Sequence, residues 1–161
     1  MTRRAILVAL VLGLSACSSQ PEPAISSQPV AAAVMPTVSG ALGSAPSISK
    51  PGGTPPSSLE IRDITAGSGS AAAATSTVTV QYTGLSWSDG KTFDSSWQRG
   101  QAATFPLNQV IAGWQQGLLG MKVGGRRLLV IPPSLGYGAN GAGAIKPNET
   151  LVFVVDLLAV K

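Results

Sequence analysis

Polar and apolar residues alternate without a break through Thr77-Val78-Thr79-Val80-Gln81-Tyr82-Thr83. That places Val78, Val80 and Tyr82 on one face of a predicted strand. A similar alternation opens Leu59-Glu60-Ile61-Arg62-Asp63-Ile64. Gly125 to Ile131 reads as a strand stopped by Pro132-Pro133. Thr150 to Val160 is longer, and its run Leu151-Val152-Phe153-Val154-Val155-Asp156-Leu157-Leu158 is apolar on both faces, as expected of a central strand. Thr104 to Leu107 is a short candidate that Pro106 pushes to a sheet edge or bulge. Ser88-Asp89-Gly90 reads as a hairpin turn. Only Asn108 to Gly120 changes period: Ile111, Trp114 and Leu118 recur at i, i+3 and i+7, one face of a short helix. Gly120 is its stop. Gly113 and Gly117 inside it make it intrinsically poor, so packing must hold it. Ala71 to Ala74 and Leu135 to Lys146 read as loops. Strands, one short helix and strands again predict an α+β fold, an antiparallel sheet curled around the helix over residues 59–161.

The pattern fails before residue 59. Arg3 and Arg4 precede an apolar run from Ile6 to Leu14. Nine residues of helix rise about 14 Å, roughly half a bilayer core, so this is a signal-peptide core over residues 1–16 rather than a membrane span. The run ends Leu14-Ser15-Ala16-Cys17, which resembles the bacterial lipobox. That resemblance implies lipidation of Cys17, cleavage before it and acylation of the new amino terminus, including a palmitate-type chain. Ser18, rather than Asp, follows the cysteine, which by analogy favours an outer-membrane anchor where the organism has such a membrane. Residues 17–58 hold eight of the 12 prolines, no aromatic residue and only Glu22 and Lys50 as charges. Without a sustained apolar period they read as a disordered Pro/Ser/Ala-rich tether. A flexible chain of that length spans roughly 35 Å.

Composition removes most chemistry. With His 0 there is no Ser-His-Asp triad, no Cys-His pair and no imidazole acid or base. With Cys 1 there is no intramolecular disulfide. The formal charge of +4 includes Arg3 and Arg4 of the signal, which leaves too little for a nucleic-acid surface. The carboxylates Glu60, Asp63, Asp89, Asp94, Glu149 and Asp156 form no dyad or metal pattern, and Gly138-Ala139-Asn140-Gly141 lacks the Gly-Lys-Ser/Thr of a phosphate loop. Neither a metal nor a cofactor is expected. What remains is aromatics beside one acid: Tyr82, Phe93-Asp94, Phe105, Trp114, Tyr137 and Phe153. In a domain this short, pocket and core share walls.

Five blocks in order and spacing now carry a resemblance: Val80-Gln81-Tyr82-Thr83-Gly84, Gly90-Lys91-Thr92-Phe93-Asp94-Ser95-Ser96, Val110-Ile111-Ala112-Gly113-Trp114, Pro133 to Gly138, and Thr150-Leu151-Val152-Phe153. Over residues 59–161 the chain resembles the FKBP-type peptidyl-prolyl cis-trans isomerases. The resemblance implies that Trp114 floors a proline pocket walled by Tyr82, Phe93, Phe105, Val110, Ile111, Tyr137, Ile145 and Phe153. It implies that the Ile111 N–H and Tyr137 hydroxyl donate to ligand carbonyls, that Asp94 stands at the rim, and that Arg99 orients such groups. The chain departs from the family pattern at Ala103, where many relatives carry phenylalanine, and at an insertion around Trp87. The loop Ala142-Gly143-Ala144 also lacks bulky side chains.

Such a pocket needs no nucleophile, proton or metal. Prolyl rotation is slow because a planar amide is resonance-stabilised, with a barrier of about 18–20 kcal/mol. A dry aromatic pocket disfavours the dipolar planar amide relative to the twisted one, and each tenfold gain requires about 1.4 kcal/mol of that preference. The expected function is therefore an envelope-anchored, monomeric prolyl isomerase acting on proline-containing exported polypeptides and open to the macrolide inhibitors of the family. The alternative is a non-catalytic peptide-binding or chaperone lipoprotein on the same fold.

Overall fold

A computed structural model describes residues 31–161; the expected signal segment and Cys17 lie outside the described residues. Six strands form one antiparallel sheet. Numbered with a short hairpin that precedes them (β1, Val38–Ser39; β2, Ser47–Ile48), they are β3 (Glu60–Thr65), β4 (Thr77–Ser86), β5 (Thr92–Ser95), β6 (Ala103–Pro106), β7 (Arg126–Ile131) and β8 (Leu151–Val160). Their order is β3-β7-β8-β4-β5, and β6 pairs with the first half of β4 while β5 pairs with the second. The strand that is apolar on both faces, β8, is central, flanked along its length by β4 and β7. β6 is an edge strand closed by Pro106, as the missing proline N–H requires. β3 also forms at an edge, but its residues are exposed on both faces, so its alternation does not mark a buried side.

The helix is shorter than its periodic window. A 3-10 turn covers Leu107–Gln109 and α1 spans Ala112–Gly117. Trp114 and Leu118 are buried against the inner face of the sheet. The two glycines that weaken α1 are what let it sit there. A Cβ on Gly113 would lie 2.4 Å from Ile131 Cγ2, and one on Gly117 would lie 2.7 Å from Leu129 Cδ2. Arg127 then ties the helix end to the sheet: its guanidinium donates to the Gly117 carbonyl (2.8 Å) and pairs with Asp63 of β3 (2.6 Å). Among the described residues no helix is long and apolar enough to cross a membrane.

The disordered-tether expectation is corrected for residues 31–58. They fold as a strap across the outer face of the sheet. Val34 and Gly52 exchange backbone bonds of 2.7 and 3.1 Å, Val38 pairs with Ile48, and Thr54 N–H donates to the Ala31 carbonyl at 3.0 Å. The strap therefore satisfies much of its own backbone. Met35, Val38 and Ile48 pack on a second core made by Leu85, Trp87, Leu128, Val130, Val152 and Val154. Pro36 and Pro51 are buried. The physical reason is that the apolar partner is supplied by the sheet, so the strap needs no amphipathic period of its own. An ion pair seals the contact. Arg126 and Asp156 are register partners on β7 and β8, 1% and 2% exposed, with Nε to Oδ1 at 2.5 Å. Two of the three remaining guanidinium protons go to the strap carbonyls of Gly40 (2.9 Å) and Ser44 (2.7 Å).

Candidate active site

The inner face of the sheet carries the aromatics. Trp114 stands at their centre, with Tyr82, Phe105 and Phe153 edge-on around it at centroid distances of 5.3, 5.8 and 5.3 Å. Phe93 meets Phe153 edge-on at 5.5 Å. These rings close over Gly84, the β4 residue paired with Phe153: a Cβ there would lie 2.6 Å from Phe153 and 2.7 Å from Phe93. A side chain at position 84 would push apart the wall that the sheet register builds.

The result is a cavity of about 400 Å³, a size typical of small-ligand sites. Tyr82, Phe93, Asp94, Phe105, Val110, Ile111, Trp114, Tyr137 and Phe153 line it, so the structure brings nearly all the sequence-derived candidates to one place. Two do not line it. Ile145 is buried in the inner core instead, because its loop turns back through paired backbone bonds with Ala142. Arg99 lies just outside, acting through Asp94 and Tyr82. Gln109 lines the pocket and was not legible in advance, since a polar residue in a predicted helix carries no signal of facing a cavity.

Three polar features face this apolar space. At the rim, Asp94 accepts hydrogen bonds on both oxygens, from the Tyr82 hydroxyl and from Arg99 Nη1. Arg99 Nη2 donates to the Tyr82 hydroxyl at 2.9 Å, and its guanidinium carbon lies 5.4 Å from that ring's centre. Burial first, and then the Asp94 hydrogen bond, push the Tyr82 phenol above its ordinary range, so it holds its proton and donates. The same network, through the bonds to Tyr82 and Asp94, pushes the Arg99 guanidinium further up. Second, Ile111 is the N-cap of α1. Its carbonyl accepts from Trp114 and Gln115, while its own N–H has no acceptor among the described residues. Third, Trp114 Nε1 is the one buried side-chain polar atom without a partner among the described residues. The Tyr137 side chain is 40% exposed at the entrance.

The chemistry available is therefore shape, aromatic walls and fixed donors. The site shows no nucleophile, and its acid has both oxygens engaged. The register of β4 with Ser96 fixes this acid: Tyr82 N–H donates to Ser96 Oγ (2.8 Å) and Ser96 N–H to the Tyr82 carbonyl (3.0 Å), which sets the chain just after Asp94.

Comparison with known proteins agrees with this geometry. Residues 68–158 match the family described as FKBP-type peptidyl-prolyl cis-trans isomerase. The chain is 54% identical over 119 residues to an FK506-binding protein of Streptomyces anulatus, covering 71% of this chain and 96% of that one. It is 50% identical over 114 residues to a probable FK506-binding protein of Corynebacterium glutamicum, covering 71% of this chain and 97% of that one. Seventy-one per cent is more than residues 59–161 supply, so both matches run into the strap. Among solved structures, FkpA from Escherichia coli superposes with a TM-score of 0.62 at 48% identity, over 64% of this chain and 48% of that one. An aromatic-lined pocket on this curled sheet, with that extent of identity around it, makes the chain a member of the FKBP-type peptidyl-prolyl cis-trans isomerases.

Proposed function

We propose that this isomerase works by desolvating and stabilising the twisted prolyl amide, and that it does so on exported polypeptides while lipid on Cys17 holds it at a bacterial envelope membrane. The mechanism rests on the Tyr82–Asp94–Arg99 network. Tyr82 keeps its proton and Arg99 its charge, so neither exchanges protons near neutrality. Trp114 and the rings around it accept the proline ring and exclude water. The unpartnered Ile111 N–H and the Tyr137 hydroxyl hold the flanking carbonyls in a turn, while Asp94 faces the twisting bond as a fixed dipole. The expected rate is nearly flat between pH 6 and 8, and Asp94→Asn retains part of it. A bell-shaped profile centred near neutrality and abolished in Asp94→Asn would replace this mechanism with acid–base catalysis. FK506-type macrolides are expected to compete with peptide in the same pocket.

The anchor rests on Leu14-Ser15-Ala16-Cys17 behind its apolar run. The Ala31 carbonyl is already bonded to Thr54 N–H in the strap, so Cys17 can lie no further from that bond than 13 intervening residues allow, at most about 45 Å. The isomerase would thus act close to the bilayer surface. Cys17→Ser should accumulate as an unprocessed precursor; normal processing of that variant and a membrane-free wild type would remove the anchor.

A further inference from the structure

The loop from Gly136 to Glu149 carries Tyr137 at the pocket entrance; on either side of it the Gly136 and Gly138 N–H groups donate to the Pro133 carbonyl (3.0 and 2.9 Å), and Ala142 and Ile145 exchange backbone bonds at the loop's tip. Its neck is a single backbone bond, Asn148 N–H to the Gly138 carbonyl at 2.9 Å. Asn148 has φ 55°, the left-handed conformation that asparagine adopts more readily than most side chains, and so turns the chain at the neck. Further bonds reach this neck from behind the pocket. Glu149 is 6% exposed, and its carboxylate accepts the Ser88 N–H (2.9 Å) and the Ser88 hydroxyl (2.8 Å). Lys146 donates to Ser88 Oγ (3.3 Å) and to Asp89 (3.1 Å). The turn bearing Ser88 is held in its own right by Trp87. The Trp87 N–H donates to the Thr150 carbonyl at 2.9 Å, and its indole N–H donates to the Gly53 carbonyl of the strap at 3.1 Å. Trp87 is 5% exposed and packs in the outer core, and neither it nor Glu149 lines the pocket.

We propose that Trp87 and Glu149 are positioning residues of the isomerase, and that through them the strap sets the entrance of the proline pocket. The strap fixes Trp87, Trp87 fixes the turn at Ser88, the turn holds Glu149, and Glu149 holds the neck behind Tyr137. A carboxylate buried to accept two bonds from one residue is a clip: it specifies one loop position rather than adding general cohesion. Small displacements of a ligand-orienting group are costly in rate, up to about a hundredfold for 1 Å. This rests on the isomerase assignment of the pocket.

The test uses the purified full chain and a proline-containing tetrapeptide. Glu149→Ala is expected to lower kcat/KM about tenfold at a temperature where it is fully folded. Glu149→Gln, whose amide still accepts from the Ser88 N–H and can donate to Ser88 Oγ, should restore it to within about twofold. Trp87→Phe keeps the ring but loses the bond to Gly53. It should speed amide exchange across residues 138–148 while leaving the inner-face strands unchanged. Wild-type kcat/KM in folded Glu149→Ala overturns the proposal. So does an alanine defect that glutamine fails to rescue. Should Glu149→Ala not fold, unchanged exchange at 138–148 in Trp87→Phe overturns it. A wild type without isomerase activity would instead strike the assignment of the pocket itself.

Discussion

The two faces of one sheet use apolar residues in opposite ways. On the inner face Tyr82, Phe93, Trp114 and Phe153 meet edge-on and leave a cavity. On the outer face Leu85, Leu128, Val130, Val152 and Val154 are aliphatic, and the strap covers them. Large rigid rings held at fixed angles can border empty space, because the sheet register and Gly84 fix where each stands. The aliphatic side chains of the opposite face form a continuous apolar surface instead, which is stable only under a cover. The polar groups differ in the same sense. Arg126 and Asp156 on the outer face are buried and spend their hydrogen bonds on each other and on strap backbone. Arg99 and Asp94 on the inner face are partly exposed and stand at an entrance. The outer face thus supports stability, and the inner face gives up packing to make a site.

That contrast can be broken most severely by removing the cover. Residues 59–161 alone should lose at least about 5 kcal/mol, since the outer apolar face opens and two bonds to a charged guanidinium are lost, each worth about 1.5–3 kcal/mol. Chemical denaturation of the two lengths measures this. Equal midpoints would mean the strap is only a spacer. Next in size is Asp156→Asn, which leaves Arg126 buried without its counter-charge and should cost about 3–5 kcal/mol. Its denaturation midpoint should fall while any folded fraction keeps normal activity per molecule. On the inner face the sign reverses. Trp114→Leu should stay folded but lose about a hundredfold in kcat/KM, about 2.7 kcal/mol of transition-state stabilisation. Full activity in that variant would place the site elsewhere.

The smallest effect is alkaline. Folding keeps the proton on Tyr82 to higher pH than unfolding does, because burial raises its phenol. Above about pH 10, the ordinary phenol value, the unfolded chain gives up that proton first and is favoured. Stability contributed by this group is therefore intact below that pH and lost as the pH rises through it. Stability measured from pH 9 upward should fall less steeply in Tyr82→Phe than in the wild type, and parallel slopes would show that the phenol is not buried as described.

β3, β4, β6, β7 and β8, with the edge position of β6 and the central position of β8, were legible because they depend on local alternation and on where proline can sit; β5, only four residues long, carried no such signal. The pocket residues were legible through motif spacing, since five blocks in register constrain a site more than any one of them does. Ile145 was misplaced because whether a loop residue faces a cavity or the core depends on a turn that the bulk of its neighbours does not encode. The strap was missed for a related reason. Proline, serine and alanine without a period signal disorder when a segment must supply its own apolar partner, and here Leu128, Val130, Val152 and Val154 supply it from strands distant in the chain.

The sequence by itself did contain half of that answer. A strand that is apolar on both faces needs two covers, and residues 59–161 hold only one helix. By itself it determined the strand order of polarity, the absence of any histidine or disulfide chemistry, and the aromatic set of the site. Only the tertiary structure decided what covers the second face. That choice depends on Arg126 and Asp156 meeting across β7 and β8 and presenting guanidinium protons to backbone carbonyls of Gly40 and Ser44. Carbonyls are common to every residue, so no side-chain pattern in the strap could announce the contact.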